Sequence, residues 1–299
     1  MFHFDGTARP CLGPKATRAP QLLRLPLGSW DTHAHVIGAS PAWPLVADRH
    51  YTPPAAAPGD FMDMLDTVGV THGVLVQVSV HGADNRLLVQ ALQAQPERLR
   101  GVAVIDSKTT DAELAELQQA GVVGVRMLDI VGGGQSLSGL ESTASRCAEL
   151  GWHVQLGARG ENYPALLPRL MKLKVPFVMD HMGWCAASAG VQHPHFQAVL
   201  DLARNADCRV KLSGAFRLSS EEPEWADTIP MAQALIEAAP DRVFWGSDWP
   251  HVGLYDEAAL PAVGDLLDLL ARTVPDADVQ RSILVDNPTR FYGRPGAKP

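Results

Sequence analysis

The chain has 299 residues, 46% of them hydrophobic and 19% charged, the balance of a globular protein with enough apolar side chains for a sizeable core. A formal net charge of −8 and a pI near 5.7 weigh against nucleic acid or an anionic membrane surface as partner. No run approaches the ~20 apolar residues of a membrane span and no basic start followed by an apolar stretch marks a secretory signal, so a cytoplasmic protein is expected.

In chain order, residues 1–28 are rich in Pro, Gly and Arg without periodicity, which predicts an irregular arm rather than part of the main domain. From 29 to 299 the pattern alternates. Apolar, β-branched runs at 30–35, 73–80, 101–105, 122–127, 152–156, 175–179, 208–213 and 243–246 predict strands buried on both faces. Between them, 84–95, 111–119, 137–149, 162–172, 194–204, 225–239 and 258–273 have helical spacing. Eight strand–helix units in one chain predict an α/β fold, a (β/α)8 TIM barrel. An open doubly wound sheet would carry a glycine fingerprint after its first strand; here that strand ends in His33-Ala34-His35. The glycines at 132–134 lack the spacing of a phosphate cradle and read as a flexible loop. Four cysteines, Cys11, Cys147, Cys185 and Cys208, show no CxxC spacing and read as free thiols.

In such a barrel the reacting groups lie at the C-terminal ends of the strands, and polar residues fall there repeatedly. The first strand offers His33 and His35, which share a face because alternate residues of a strand do, with Asp31 beneath them. The second ends near Ser79 and His81, the fourth at Arg126, the sixth at Asp180 and His181. Arg217 follows the seventh; Asp248 and then His251 follow the eighth. Bland readings exist for each: a satisfied core imidazole, a helix cap, a structural ion pair. Asp31 reads as a support for an imidazole, Lys211 and His153 as structural, His193 and His195 as loop and cap residues, and Trp184 and Trp249 as possible pocket walls. No GxSxG elbow surrounds Ser213 or Ser247, which argues against a serine hydrolase.

Three imidazoles and a carboxylate also suit one divalent metal such as zinc, held by His33, His35, His181 and Asp248. A binuclear site would need a bridging group near the middle strands, and the fifth ends Gln155-Leu156-Gly157. Because Arg and His donors can polarise a carbonyl unaided, a site without metal or other cofactor is the favoured expectation.

Asp-Thr-His-Ala-His at 31–35, Val-Gln-Val-Ser-Val-His-Gly-Ala-Asp-Asn at 76–85, Gly-Val-Arg at 124–126, Gly-Trp-His-Val at 151–154, Asp-His-Met-Gly at 180–183, Trp-Gly-Ser-Asp-Trp-Pro-His at 245–251 and Asn-Pro-Thr-Arg-Phe-Tyr at 287–292 together resemble the amidohydrolase superfamily. The likeness is to its lactonase branch, that of the 2-pyrone-4,6-dicarboxylate lactonases of aromatic degradation, and runs over 28–293. It implies a (β/α)8 barrel and metal-free hydrolysis of a small anionic lactone. It further implies Asp248 as general base, His33, His35 and His181 polarising the lactone carbonyl, and Ser79, Arg126 and Arg217 holding substrate carboxylates; His251 joins them as a substrate-binding candidate. Two features of that branch are absent: a second Arg after the fourth strand, where this chain has 128–132, and a Tyr where it has Gly157. Arg159 is the candidate replacement charge. The alternatives are a mononuclear metal-dependent amidohydrolase or decarboxylase on a related carboxylate, and a catalytically dead binding barrel. The particular lactone and the oligomeric state are not legible.

Overall fold

In the computed structural model, which describes residues 8–132, 136–221 and 223–296, eight strands run parallel in the order in which they occur: β1 (Trp30–Ala34), β2 (His72–Val76), β3 (Leu99–Ala103), β4 (Val122–Leu128), β5 (His153–Gly157), β6 (Phe177–Met179), β7 (Cys208–Leu212) and β8 (Val243–Trp245). A parallel bridge between Ala34 and Trp249 joins the two ends of the sheet. Beside it, Asp248 N–H donates to the His33 carbonyl at 2.7 Å and His35 N–H to the Trp249 carbonyl at 2.8 Å. The chain therefore folds as the (β/α)8 barrel expected from its eight apolar runs.

Outside the strands lie α1 (Pro58–Val68), α2 (Arg86–Ala94), α3 (Asp111–Ala120), α4 (Leu140–Leu150), α5 (Tyr163–Leu170), α6 (Pro194–Asn205), α7 (Ala215–Leu218), α8 (Ile229–Ala238), α9 (Val263–Thr273), α10 (Ala277–Arg281) and α11 (Asn287–Tyr292). Their sequences account for their ends. Thr110 and Glu113 form a reciprocal cap at the start of α3, and Gly121 at φ 102° ends it and turns the chain into β4, using the left-handed region that glycine enters without strain. Apolar faces such as Phe61, Met64 and Leu65 of α1 are at most 1% exposed, each contributing roughly 1.5–3 kcal/mol by burial.

Several expected boundaries move. The second strand stops at Val76, and Ser79–His81 form a 3-10 turn. The stretch 258–262 is not helical because Pro261 disfavours helix at the residue before it, so α9 begins at Val263. Helices α1, α7, α10 and α11 were not expected; α1 is launched by Pro58 at its first turn and by Asp60 accepting the Ala57 N–H at 2.8 Å, a signal hidden behind the low-complexity Ala/Pro run at 53–58. Of the glycine loop at 132–134, residues 133 and 134 lie outside the described residues, as do residues 1–7 of the arm.

The described part of the arm, 8–28, has no helix or strand beyond a bridge from Pro10 to Thr52. It is tied to the barrel by Leu12 N–H on the Leu254 carbonyl at 2.9 Å and by the Gln21 and Leu22 amides on the Asp268 carboxylate. The N-terminal end of the barrel is plugged by α11, whose Phe291 and Tyr292 pack on Phe244 and His153; His153 is thus a floor residue, as its position at the start of β5 predicts. The four cysteines are free thiols. Among the described residues no helix is long and apolar enough to cross a membrane.

Candidate active site

The opposite end of the barrel gathers the polar residues. Asp248 follows β8 in the left-handed region, at φ 61°, a conformation a non-glycine residue adopts only when its surroundings enforce it. Three imidazoles surround its carboxylate: His35 Nε2 and His33 Nε2 stand 3.6 and 3.7 Å from Oδ1, and His181 Nε2 stands 3.8 Å from Oδ2. These gaps exceed a direct hydrogen bond. All four residues are at most 3% exposed. Glycine lets the parts approach: a Cβ on Gly246 would stand 2.7 Å from His33 Cβ, and one on Gly214, itself at φ 67°, would stand 2.7 Å from His181 Nδ1.

Hydrogen bonds at the far ring nitrogens orient the imidazoles. His35 Nδ1 is 2.7 Å from the Val76 carbonyl; a carbonyl only accepts, so the ring proton sits on Nδ1 and the Nε2 lone pair faces Asp248. His181 Nδ1 meets Ser213 Oγ at 2.8 Å. His33 Nδ1 lies 3.2 Å from Asp180 Oδ1 and 3.3 Å from Lys211 Nζ, while its Nε2 has no hydrogen-bond partner. Burial lowers the basicity of all three, His33 well below the ordinary value and His181 to about 4. They are neutral at pH 7.

The two carboxylates are ionised for the opposite reason. Burial works against the charge on Asp248, but Arg217, with His181 and the His35 contact, holds it well below the usual carboxylate range; Arg217 Nε donates to Oδ2 at 2.6 Å. Asp180 is likewise held low against its burial by His33 and Arg126, Arg126 placing Nε and Nη2 at 3.3 and 3.2 Å from Oδ2. Both arginines expected to receive substrate line the central cavity, yet each also holds a buried carboxylate. The positive charge of each arginine is therefore largely offset. A sequence shows which cations are present and not which anions they face.

That cavity is walled by His35, Tyr51, Ser79, His181, Trp184 and Asp248, with Arg126, Arg217 and the apolar Leu128, Ile130, Val131 and Val252. Ser79 is there, its Oγ 3.0 Å from the Tyr51 hydroxyl. His251 is not among the lining residues; it is 1% exposed, its ring nitrogens make no hydrogen bond, and its edge rests on Phe216 with centroids 5.2 Å apart. Trp249 is also absent from the wall, packing on Phe61 at 5.6 Å instead. His81 turns away to take the Gly38 N–H at 3.2 Å and face the Pro44 carbonyl at 3.3 Å, pinning the loop after β1. Asp31 supports backbone more than imidazole: it accepts from Ser247 N and Oγ at 2.8 and 2.5 Å and from His33 N at 3.2 Å. Burial raises it to about 6.

Four further residues belong to the site. Asp180 lies 3.2 Å from His33 Nδ1. Tyr51, on the loop after β1, is part of the wall. Beneath His33, Lys211 Nζ donates to the Thr32 carbonyl at 2.6 Å and to Gln155 Oε1 at 2.8 Å, fully buried and pushed down to about 7 by that burial. Gln155 and Lys211 were legible as polar interruptions in apolar strands; Tyr51, in an aperiodic loop, left no signal.

Among the described residues, two groups of side chains could hold a cation: His33, His35 and Asp248, and His33, Asp180 and His181. The four-residue set expected from sequence is thus divided, His33 being common to both halves.

An amidohydrolase family model matches residues 30–294. Among curated relatives, a 4-sulfomuconolactone hydrolase of Rhizobium radiobacter is 37% identical over 287 residues, covering 95% of this chain and 96% of its own. A 2-pyrone-4,6-dicarboxylate hydrolase of Comamonas testosteroni is 35% identical over 284 residues, covering 90% and 91%. A crystal structure from Agrobacterium tumefaciens superposes with a TM-score of 0.84 at 28% identity, covering 93% of this chain and 97% of that one.

Proposed function

This chain belongs to the amidohydrolase family, and from that premise we propose that it is a lactone hydrolase acting on a small lactone that bears carboxylate or similar anionic groups. The observation that carries the reading is the convergence of neutral His33, His35 and His181 on the ionised Asp248 at 3.6–3.8 Å. The names of the relatives, both lactone-ring hydrolases, favour the same chemistry over the decarboxylase and dead-barrel alternatives.

In this reading a water sits on the open side of Asp248 Oδ1 and His35 Nε2. Asp248 takes one of its protons as its oxygen bonds to the lactone carbonyl carbon. The His35 Nε2 lone pair accepts the water's second hydrogen and aims its oxygen. With Ser213 donating to Nδ1, His181 presents Nε2–H toward the carbonyl oxygen as negative charge develops there; one such donor is worth about 3 kcal/mol of barrier. The ring C–O bond then breaks, and the leaving oxygen recovers the proton from Asp248. Arg126 and Arg217, whose Nη1 groups also reach the Gln77 and Val252 carbonyls, would meet a substrate carboxylate, with Ser79 beside them.

A second reading has a specific support. His35 Nε2 carries a lone pair, His33 Nε2 lacks a hydrogen-bond partner, and both face Asp248 Oδ1 within 3.7 Å. That donor set fits one divalent cation such as zinc, which would supply Lewis-acid polarisation or a water of lowered pKa.

The test is hydrolysis of a panel of mono- and dianionic lactones, followed by release of acid, with protein whose metal content has been measured before and after chelation. Ring opening that survives complete metal removal supports the Asp248 mechanism alone. Activity lost on chelation and restored by zinc supports the second reading, and no ring opening under either condition rejects the lactonase proposal.

A further inference from the structure

Two connections at the mouth of the barrel are long and have no helix or strand of their own: residues 35–57 after β1 and 246–262 after β8. Each supplies a wall residue of the central cavity, Tyr51 from the first and Val252 from the second. Holding so long a connection in one conformation costs chain entropy, which contacts from outside it must offset. The N-terminal arm makes such contacts with both at once.

Toward the loop after β1, the Cys11 N–H donates to the Thr52 carbonyl at 3.0 Å and the Thr52 N–H to the Arg9 carbonyl at 2.8 Å. The Thr52 hydroxyl adds a bond to the Ala8 carbonyl at 2.7 Å. Pro10 fits this bridge because the bonds to Thr52 use its two neighbours and need no N–H from the proline itself. Toward the loop after β8, the Leu12 N–H donates to the Leu254 carbonyl at 2.9 Å. There Cys11 Sγ accepts the Gly253 N–H at 3.3 Å, and the Arg9 guanidinium lies over the Tyr255 ring, 4.8 Å from its centroid.

On both sides the arm stops one residue short of the wall. Thr52 adjoins Tyr51, whose hydroxyl meets Ser79 Oγ at 3.0 Å. Gly253 adjoins Val252, whose carbonyl accepts Arg217 Nη1 at 3.0 Å, and Arg217 donates in turn to Asp248. Residues 8–12 themselves do not line the cavity. We propose that they are a positioning strap, which fixes Tyr51 relative to Arg217 and so sets substrate affinity without touching substrate. The proposal rests on the lactonase reading and adds to it a set of residues that act only through others.

The experiment compares a chain beginning at residue 8 with one beginning at residue 13. The remainder of the arm keeps its own anchors, Lys15 Nζ on the Leu260 carbonyl at 3.2 Å and the Gln21 and Leu22 amides on Asp268. Leu12→Pro, which deletes one N–H from the full chain, serves if the shorter chain does not fold, and Leu12→Ala, which keeps that N–H, is its control. With a lactone that the wild type opens, removal of 8–12 is expected to raise KM about tenfold and Leu12→Pro about fivefold, the weight of one backbone hydrogen bond. In both, kcat should stay within about twofold, and Leu12→Ala should match wild type. An unchanged KM in Leu12→Pro overturns the strap. So does a kcat that falls with the folded fraction at constant KM, the result of a role in folding alone.

Hydrogen exchange supplies a readout independent of turnover. The Val46 N–H on the Val80 carbonyl and the His251 N–H on the Asp248 carbonyl, at 2.8 and 2.9 Å, lie within the two loops and involve no arm residue. Both should exchange faster in the chain beginning at residue 13 and in Leu12→Pro, while the Val154 amide of β5 is unchanged. If no lactone is opened, that result keeps the strap's hold on the loops while the hydrolase reading fails. Exchange altered only at Thr52 and Gly253, the amides that bond the arm directly, overturns the strap.

Discussion

Asp248→Asn separates the chemical role of this carboxylate from its structural one. The amide is nearly isosteric, and the surroundings suit it: its oxygen can keep the Arg217 Nε–H now held at 2.6 Å. Its NH2 can turn toward the His35 Nε2 lone pair, now 3.6 Å from Oδ1. What disappears is the negative charge and the capacity to accept a proton. A general base contributes about 10²–10⁴ in rate, so kcat should fall by that factor, about 3–5 kcal/mol of barrier at 1.36 kcal/mol per decade. The cost to folding should be smaller than the 3–5 kcal/mol of breaking a buried ion pair outright, and nearer about 1–3 kcal/mol, because Arg217 loses a charge and keeps an acceptor. Initial rates of lactone opening by pH indicator, substrate affinity and urea unfolding measure the three quantities. A variant that retains more than about a tenth of wild-type kcat would refute the general-base assignment, since that loss lies below the range for such a group. Loss of activity in step with loss of folded protein would show that Asp248 acts only through the fold.

Two other expectations follow from the same geometry. Lys211→Met removes the buried amino group and leaves the Thr32 carbonyl and Gln155 Oε1 without the donor that now reaches them at 2.6 and 2.8 Å. Urea unfolding should show a loss of about 2–4 kcal/mol, one to two unsatisfied buried acceptors, and a change within about 0.5 kcal/mol, typical of sites away from such features, would mean that water replaces the ammonium at no cost. The pH dependence should separate stability from activity. His181 is lowered to about 4 by burial, and His33 and His35 are lowered too, whereas the unfolded chain titrates near 6.5. Below that value the unfolded state takes up protons that the folded state refuses, so stability falls as pH drops from about 6.5 toward 4. The folded site keeps its imidazoles neutral over the same interval, and kcat should stay level until the pH approaches the lowered values. An acid limb in kcat centred near 6.5 would contradict this, and a melting temperature that does not decline between pH 6.5 and 5 would contradict the linkage.

Much of the molecule was determined by the linear sequence. Barrel strands are buried on both faces, so they appear as continuous apolar runs, and eight of them between helical segments leave few alternatives. The same logic exposed His33, His35, Arg126, His181 and Asp248, because polar side chains at the ends of such runs stand out against their surroundings. The short α7, α10 and α11 escaped because one or two turns of helix carry little periodicity, and the longer α1 because the Ala/Pro run before it masks its start. Tertiary structure alone decided which groups meet. That Arg126 belongs to Asp180 and Arg217 to Asp248, that Lys211 and Gln155 sit beneath His33, and that His251 packs on Phe216, His81 on the loop after β1 and Trp249 on Phe61 all depend on contacts between residues tens to hundreds of positions apart. A sequence states the charge and reach of each side chain, but partnership is set by where the closing ring brings the strand ends. Electrostatic energies fall with distance and rise with burial, and neither quantity exists until the chain has folded.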